Sequence, residues 1–209
     1  MTYIGIIGSV SVGKTSFVRL FMKYIQEGKT QSVKGGVKCS LVSTDFSGES
    51  ILDPLSGVKE TKTIHPNRLV FQEDESKQNH TLFAPGGDQG RAVVKMGVIT
   101  ISKISKEIIT LFSCIEDLDK QLKFFSDVNF FPNEIFVALN KYDLIQAEDK
   151  DAYVEEMKRK IETFFAGRKK KVLDYIITVA DPINGWEDYN NNAAKLILDI
   201  CLGRYQKKK

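Results

Sequence analysis

The chain has 209 residues and a formal net charge of +3, with 42% hydrophobic and 27% charged residues. That length suits one domain with a full core, and that charge is too small to argue for a nucleic-acid partner. No apolar run reaches membrane-spanning length. The three cysteines show no metal or redox spacing, and two histidines leave little material for a zinc site.

"YIGIIG", residues 3 to 8, is an apolar, β-branched run closed by glycine, and it reads as a buried strand. Phe17, Leu20, Phe21, Tyr24 and Ile25 recur at helical spacing and predict a helix from about Lys14 to Glu27. From Gly28 to Lys62 glycine, serine and threonine dominate, which predicts a long loop with a short strand at "KCSLVS". Such a loop inside a compact domain is usually functional. "NRLVFQ" and "HTLFA" read as strands around the polar turn "EDESKQN", and a helix follows over Gln89 to Ile101.

Residues 107–115 and 134–140 read as buried strands, with an amphipathic helix from Glu116 to Val128 between them. A helix over Asp151 to Phe165, a last strand over 172–180 and a closing helix from Trp186 complete the pattern; Leu196, Ile197, Ile200 and Cys201 share one face of the closing helix. Strands alternating with helices predict an α/β fold: a mostly parallel central sheet with helices on both faces. The aromatics of "LKFFSDVNFF" read as core. The basic runs Arg168–Lys171 and Lys207–Lys209 read as solvated surface. Cys39, Cys114 and Cys201 read as reduced, buried thiols of a cytoplasmic protein. Thr2 in place of glycine speaks against myristoylation and "RYQKKK" lacks a prenylation cysteine, so no stable membrane anchor is expected.

The chemistry starts at "GSVSVGKTS". Gly8, Gly13, Lys14 and Thr15 fit G-x-x-x-x-G-K-[ST], between a predicted strand and a predicted helix. The two glycines let the backbone of Ser9, Val10, Ser11 and Val12 bend so that N–H groups converge on phosphate oxygens. The N-terminus of the helix, with Ser16 in its first turn, adds partial positive charge. Lys14 reaches the β- and γ-phosphates, and the Thr15 hydroxyl can ligate Mg²⁺. Such a cradle does not choose a base. "NKYD", Asn140 to Asp143, ends a predicted strand, where open α/β sheets bind ligands. The Asp143 carboxylate can accept both hydrogen bonds offered by the N1–H and amino group of guanine; adenine lacks that donor pair and would leave the carboxylate unsatisfied. Asn140 can bond the other edge of the base and tie this loop to the phosphate loop, and the Lys141 stem can lie along the base plane.

On these two motifs the chain resembles a small GTPase of the Ras-like superfamily, over nearly its whole length. The resemblance implies a single GTP-binding G domain over 1–209, binding GTP or GDP with Mg²⁺. It makes "TVAD" the counterpart of the family's "TSAK" loop, with Val179 and Ala180 offering backbone contacts to guanine and Asp181 replacing a lysine. Thr61 and Thr63 both suit the first-switch threonine that ligates Mg²⁺. Thr63 is preferred, because Thr63–Ile64 just before a strand resembles the family's "PTI". The stretch between Thr15 and Thr63 is far longer than in a minimal family member, which implies an insertion in the first switch at about 28–62.

The second switch, "FAPGGDQGR", departs from the family's D-x-x-G-Q. Aligning Gly86 with the family glycine places Phe83 at the aspartate that holds a metal-bound water, and Gly87 at the water-orienting glutamine. Pro85 before that glycine resembles the MglA-type polarity switches. Lys14, Thr63 and Gly86 are then the residues that act on the γ-phosphate, while Asp88, Gln89 and Arg91 are nearby candidates for the missing groups. The expected function is a GTP/GDP switch of slow intrinsic hydrolysis, completed by protein regulators or effectors that read the switch regions. A non-hydrolysing GTP-binding scaffold and a phosphate-loop ATPase or kinase are the alternatives. His65 and Trp186, candidates for a base and a stacking platform, read as a surface or switch residue and as packing.

Overall fold

Strand β1 (Thr2–Ile7) divides its side chains between two cores, Ile4 and Ile6 on one side of the sheet and Ile7 on the other. The same alternation runs through β7 (Glu107–Ser113), with Ile109 and Leu111 against Ile108 and Phe112, and through β8 (Glu134–Asn140), with Phe136 and Ala138 against Ile135, Val137 and Leu139. Strands buried on both faces read as continuous apolar runs, which is why they are conspicuous in the sequence. The computed structural model describes residues 1–52, 60–180 and 185–204.

The remaining strands are β2 (Cys39–Asp45), β3 (Glu49–Leu52), β4 (Glu60–Thr63), β5 (Asn67–Glu73), β6 (Asn79–Ala84) and β9 (Lys171–Ile177). Seven form one sheet in the order β2-β5-β6-β1-β7-β8-β9. β6, β1, β7, β8 and β9 pair in parallel, and β5 runs against both of its neighbours. Helices α1 (Lys14–Gln26) and α5 (Glu187–Cys201) cover the first core; α2 (Ala92–Ile104), α3 (Leu118–Ser126) and α4 (Lys150–Gly167) cover the second. The expected α/β architecture is therefore present, and the parallel strands aim their C-terminal ends at one edge, where such sheets bind ligands.

The described part of 28–62 holds more secondary structure than its composition suggests. It holds a 3₁₀ turn at Lys29–Gln31, the edge strand β2, and a hairpin in which β3 pairs antiparallel with β4 outside the main sheet. "ESIL" and "ETKT" lack the apolar alternation by which a strand announces itself. Helix α2 starts at Ala92 rather than Gln89, with Arg91 extended before it and ion-paired to Asp88 at 3.5 Å. Of the basic run 168–171, Lys169 and Lys171 are exposed. Arg168 instead donates to the Ser126 and Val128 carbonyls and Lys170 to that of Phe131, so half of the run pins the loop before β8. Phe124, Phe125 and Phe131 are in the second core, Phe130 is exposed, and all three cysteines are buried and unbridged.

Candidate functional site

The loop between β1 and α1 is built by its glycines. Gly13 has φ 95°, in the left-handed region, and a Cβ there would stand 2.3 Å from Asn140 Nδ2. A Cβ on Gly8 would stand 2.4 Å from the Leu111 carbonyl oxygen of β7. Both positions are thus closed to other residues by the neighbouring strands as well as by the turn. Val12 is fully buried, whereas Val10 at the tip is 47% exposed.

Lys14 folds back across the loop. Its Nζ donates to the carbonyls of Gly8 at 2.8 Å and Ser9 at 2.6 Å. The side chain is buried, and burial pushes its pKa down from 10.5 to about 7. One helical residue on, the Thr15 hydroxyl lies 3.4 Å from the Thr63 hydroxyl at the end of β4 and accepts a hydrogen bond from Asn67 Nδ2 at 3.0 Å. Thr63 thus meets Thr15, and the side chain of Thr61 lies outside the described residues.

An open cleft of about 310 Å³ stands over this loop, walled by its tip, Thr63, Gly87, Asp88 and Lys141. Lys141 is left-handed at φ 64° and its ammonium lies 3.5 Å from the Glu116 carboxylate. Asn140 joins the two motifs by donating from Nδ2 to the Val12 carbonyl at 2.9 Å. Thr178 N–H donates to the Leu139 carbonyl at 2.8 Å, so residues 178–180 run beside 139–143. Ala180, at φ 34°, and Val179 are buried, and Asp181 lies outside the described residues. Asp143, Val179 and Ala180 do not line the cleft itself. Tyr142 stacks on Tyr189 at 5.1 Å and meets the edge of Trp186 at 6.0 Å, so the tryptophan packs against the "NKYD" loop from behind.

No family model matches the chain, and no curated protein matches its sequence. Solved structures match its shape. The bacterial selenocysteine-specific elongation factor EF-Sec superposes with a TM-score of 0.56 at 12% identity, over 94% of this chain and 29% of that one. Elongation factor SelB from Methanococcus maripaludis, in complex with the GTP analogue GppNHp, gives 0.52 at 13% identity, over 94% of this chain and 33% of that one. SsGBP in complex with GDP gives 0.50 at 13% identity, over 96% of this chain and 51% of that one. The fold is that of a phosphate-loop G domain. The chain spans only part of these neighbours, from 29% to 51% of their length.

Within this G domain the segment 83–91 sits differently from its sequence alignment. Phe83 turns toward the α2–α4 core and tilts against Tyr3 at 5.9 Å, whereas Ala84 turns toward the α1 side, where Thr15 stands. The side chain at the end of β6 that faces Thr15 is thus the methyl of Ala84, and it too offers no ligand. Gly86 lies against the first switch, for a Cβ on it would stand 2.1 Å from the Thr63 carbonyl oxygen. Gly87 lies against the phosphate loop, for a Cβ there would stand 2.3 to 2.4 Å from the backbone of Ser9 and Val10. Gln89 is turned away, donating to the Phe124 carbonyl of α3 at 3.4 Å. His65 is exposed.

Sequence reasoning missed Asn67. It is fully buried, at the first position of β5. The signal was available: Asn67, Leu69 and Phe71 share one strand face, so an amide occupies a core register.

Proposed function

We propose that this chain is a GTP-binding domain that uses Mg²⁺ and acts as a GTP/GDP switch, with slow intrinsic hydrolysis that a partner protein completes. The observation that carries the reading is the meeting of the Thr15 and Thr63 hydroxyls at 3.4 Å beside the buried Lys14. One belongs to the phosphate loop and the other to the end of the long first-switch segment, so a γ-phosphate and its cation would act on both. Two neighbouring hydroxyls are hard oxygen donors of the kind that suit magnesium, with phosphate oxygens and water completing the shell. Magnesium bound there neutralises phosphate charge. Lys14 holds the phosphates, and the N–H groups of Ser11 through Ser16 orient them. Gly86 and Gly87 bring the second switch to the same point.

The Asn140–Val12 hydrogen bond supports a guanine base, because it fixes the "NKYD" loop to the cradle and leaves the second Nδ2 hydrogen for the base's acceptor edge. Asp143 then reads the guanine donors, and the backbone of Val179 and Ala180 closes over the base. Among the described residues walling the cleft Asp88 is the one carboxylate and no glutamine is present, which supports slow hydrolysis. The proline–glycine pair keeps the likeness to MglA-type switches. Nucleotide exchange with cellular pools fits a cytoplasmic protein, and no helix among the described residues is long and apolar enough to cross a membrane.

Titration with GTP, GDP and ATP tests the reading directly; GTP and GDP should bind and ATP should not. Asp143→Asn should move the preference toward xanthine nucleotides, because an amide can donate to the xanthine carbonyl. Equal affinity for ATP would turn the assignment to another phosphate-loop class. Absence of turnover with every partner fraction would leave a non-hydrolysing scaffold.

A further inference from the structure

A fully buried amide is costly unless it is hydrogen-bonded. Asn67 is buried at the start of β5, and its Nδ2 donates to Thr15 Oγ1 at 3.0 Å. Its direction follows from the ladder. Asn67 pairs with Ala84 across β5 and β6, and directly paired residues of antiparallel strands point to the same face. That face carries α1, with Leu69, Phe71, Leu82 and Ala84 in one core with Phe17 and Phe21. The small methyl of Ala84 leaves the polar role at this point of the sheet to the strand beside it. Asn67, Thr15 and Thr63 then form a line from the sheet, through the phosphate loop, to the first switch.

We propose that Asn67 is a positioning residue for a magnesium ion at Thr15, and that as a neutral amide it sets the affinity of the site below that of a carboxylate-supported one. The inference rests on the reading of the chain as a magnesium-dependent GTP-binding domain. The Thr15 oxygen has two lone pairs and one hydrogen. When a lone pair goes to a cation, the hydroxyl hydrogen needs an acceptor. An amide turned end for end supplies one through Oδ1, so the same side chain serves the hydroxyl in both states. The partner of a ligating group fixes its orientation and tunes its strength as a ligand. Asp88, the carboxylate at the cleft, is ion-paired to Arg91 at 3.5 Å. Among the described residues the contribution at Thr15 therefore comes from hydroxyls and one amide, and added negative charge at position 67 should tighten the metal.

The experiment follows release of a fluorescent GDP from the full chain as free Mg²⁺ is lowered, for the wild type, Asn67→Ala and Asn67→Asp. Wild-type release should accelerate below a definite Mg²⁺ midpoint. Asn67→Ala should raise that midpoint by about tenfold or more, the usual effect of losing the partner of a metal ligand. Asn67→Asp should lower it. A purely structural role would not give opposite shifts, since both substitutions disturb a buried site; thermal melting of the nucleotide-free variants reports that disturbance separately. If Asn67→Ala does not fold, the Asp variant decides alone. A responsive wild type with unchanged or uniformly raised midpoints overturns the role of Asn67 and leaves nucleotide binding standing. A wild type that fails to bind GDP, or whose release ignores Mg²⁺, overturns the underlying reading and this inference with it.

Discussion

Asn140, at the C-terminal end of β8, holds the phosphate loop directly: its Nδ2 donates to the buried Val12 carbonyl at 2.9 Å, and Gly13 is a glycine partly because this amide lies where its Cβ would be. Asn140→Ala should therefore act on the cradle as well as on the base loop. Leaving the Val12 carbonyl without its donor should cost about 1–3 kcal/mol of folding free energy. Thermal melting of the nucleotide-free protein should show a fall of several degrees, and GDP affinity should fall in the same variant. A melting temperature equal to that of the wild type would show that the contact does not stabilise the loop.

Lys14 has no carboxylate partner among the described residues and caps two carbonyls of its own loop. Burial brings its pKa from 10.5 to about 7. Between about pH 7 and 10 the unfolded chain then binds the proton more readily than the folded one, so this residue makes the free protein more stable as pH rises through that window. Phosphates reverse the preference, because they favour the ammonium. Nucleotide binding above pH 7 should take up a proton, and affinity should weaken by at most about tenfold per pH unit between pH 7 and 9. Calorimetry in buffers of different ionisation enthalpy reads the proton. Lys14→Ala should abolish both the uptake and most of the affinity.

His80 is a second buried base with a pH signature. It is 1% exposed in β6, stacked on Phe71 at 5.3 Å, and neither ring nitrogen has a hydrogen-bond partner among the described residues. Burial holds its pKa below the usual 6.5. Above 6.5 the ring is neutral in both states and adds no pH dependence. As pH falls below 6.5 the unfolded chain takes up the proton first, and stability declines. His80→Phe keeps the stacked ring without the proton site. Its melting temperature should depend less on pH between 7 and 5 than that of the wild type; parallel curves would remove His80 from the acid response.

The parts of the site that local sequence encodes are the parts that could be read from it. Gly8, Gly13 and Lys14 are fixed by the turn and the helix they open, and "NKYD" follows an apolar run that can only be a central strand. Thr63 stands out because Thr63–Ile64 comes shortly before the apolar run of β5, which starts at Asn67. What escaped depends on neighbours distant in the chain. The facing of Phe83 and Ala84 is set by the register of β6 against β1, where Phe83 pairs with Gly5. The core register of Asn67 could be read from its strand, but its contact with Thr15 became visible only when the ladder placed it opposite Ala84. β3 and β4 pair with each other outside the main sheet, and their residues lack the apolar alternation of the main-sheet strands.

The second switch gives the last prediction. Gly87 lies so close to Ser9 and Val10 that any side chain would meet their backbone at 2.3 to 2.4 Å. Gly87→Gln, which would place a glutamine where the sequence alignment expects one, should therefore push this segment off the phosphate loop rather than orient a water. Single-turnover hydrolysis should not accelerate. Gln89, the nearest natural glutamine, is held by the Phe124 carbonyl of α3 and does not line the cleft. Gln89→Ala should change intrinsic turnover by less than about tenfold, roughly 1.4 kcal/mol in barrier. The wild-type rate should itself be at or below the order of 10⁻⁴ s⁻¹. A far larger loss in Gln89→Ala with GTP affinity intact would mean that nucleotide binding frees Gln89 from α3 and makes it the water-orienting residue. Rapid multiple turnover by the isolated wild-type chain would mean instead that Asp88, the carboxylate already at the cleft, suffices for the chemistry.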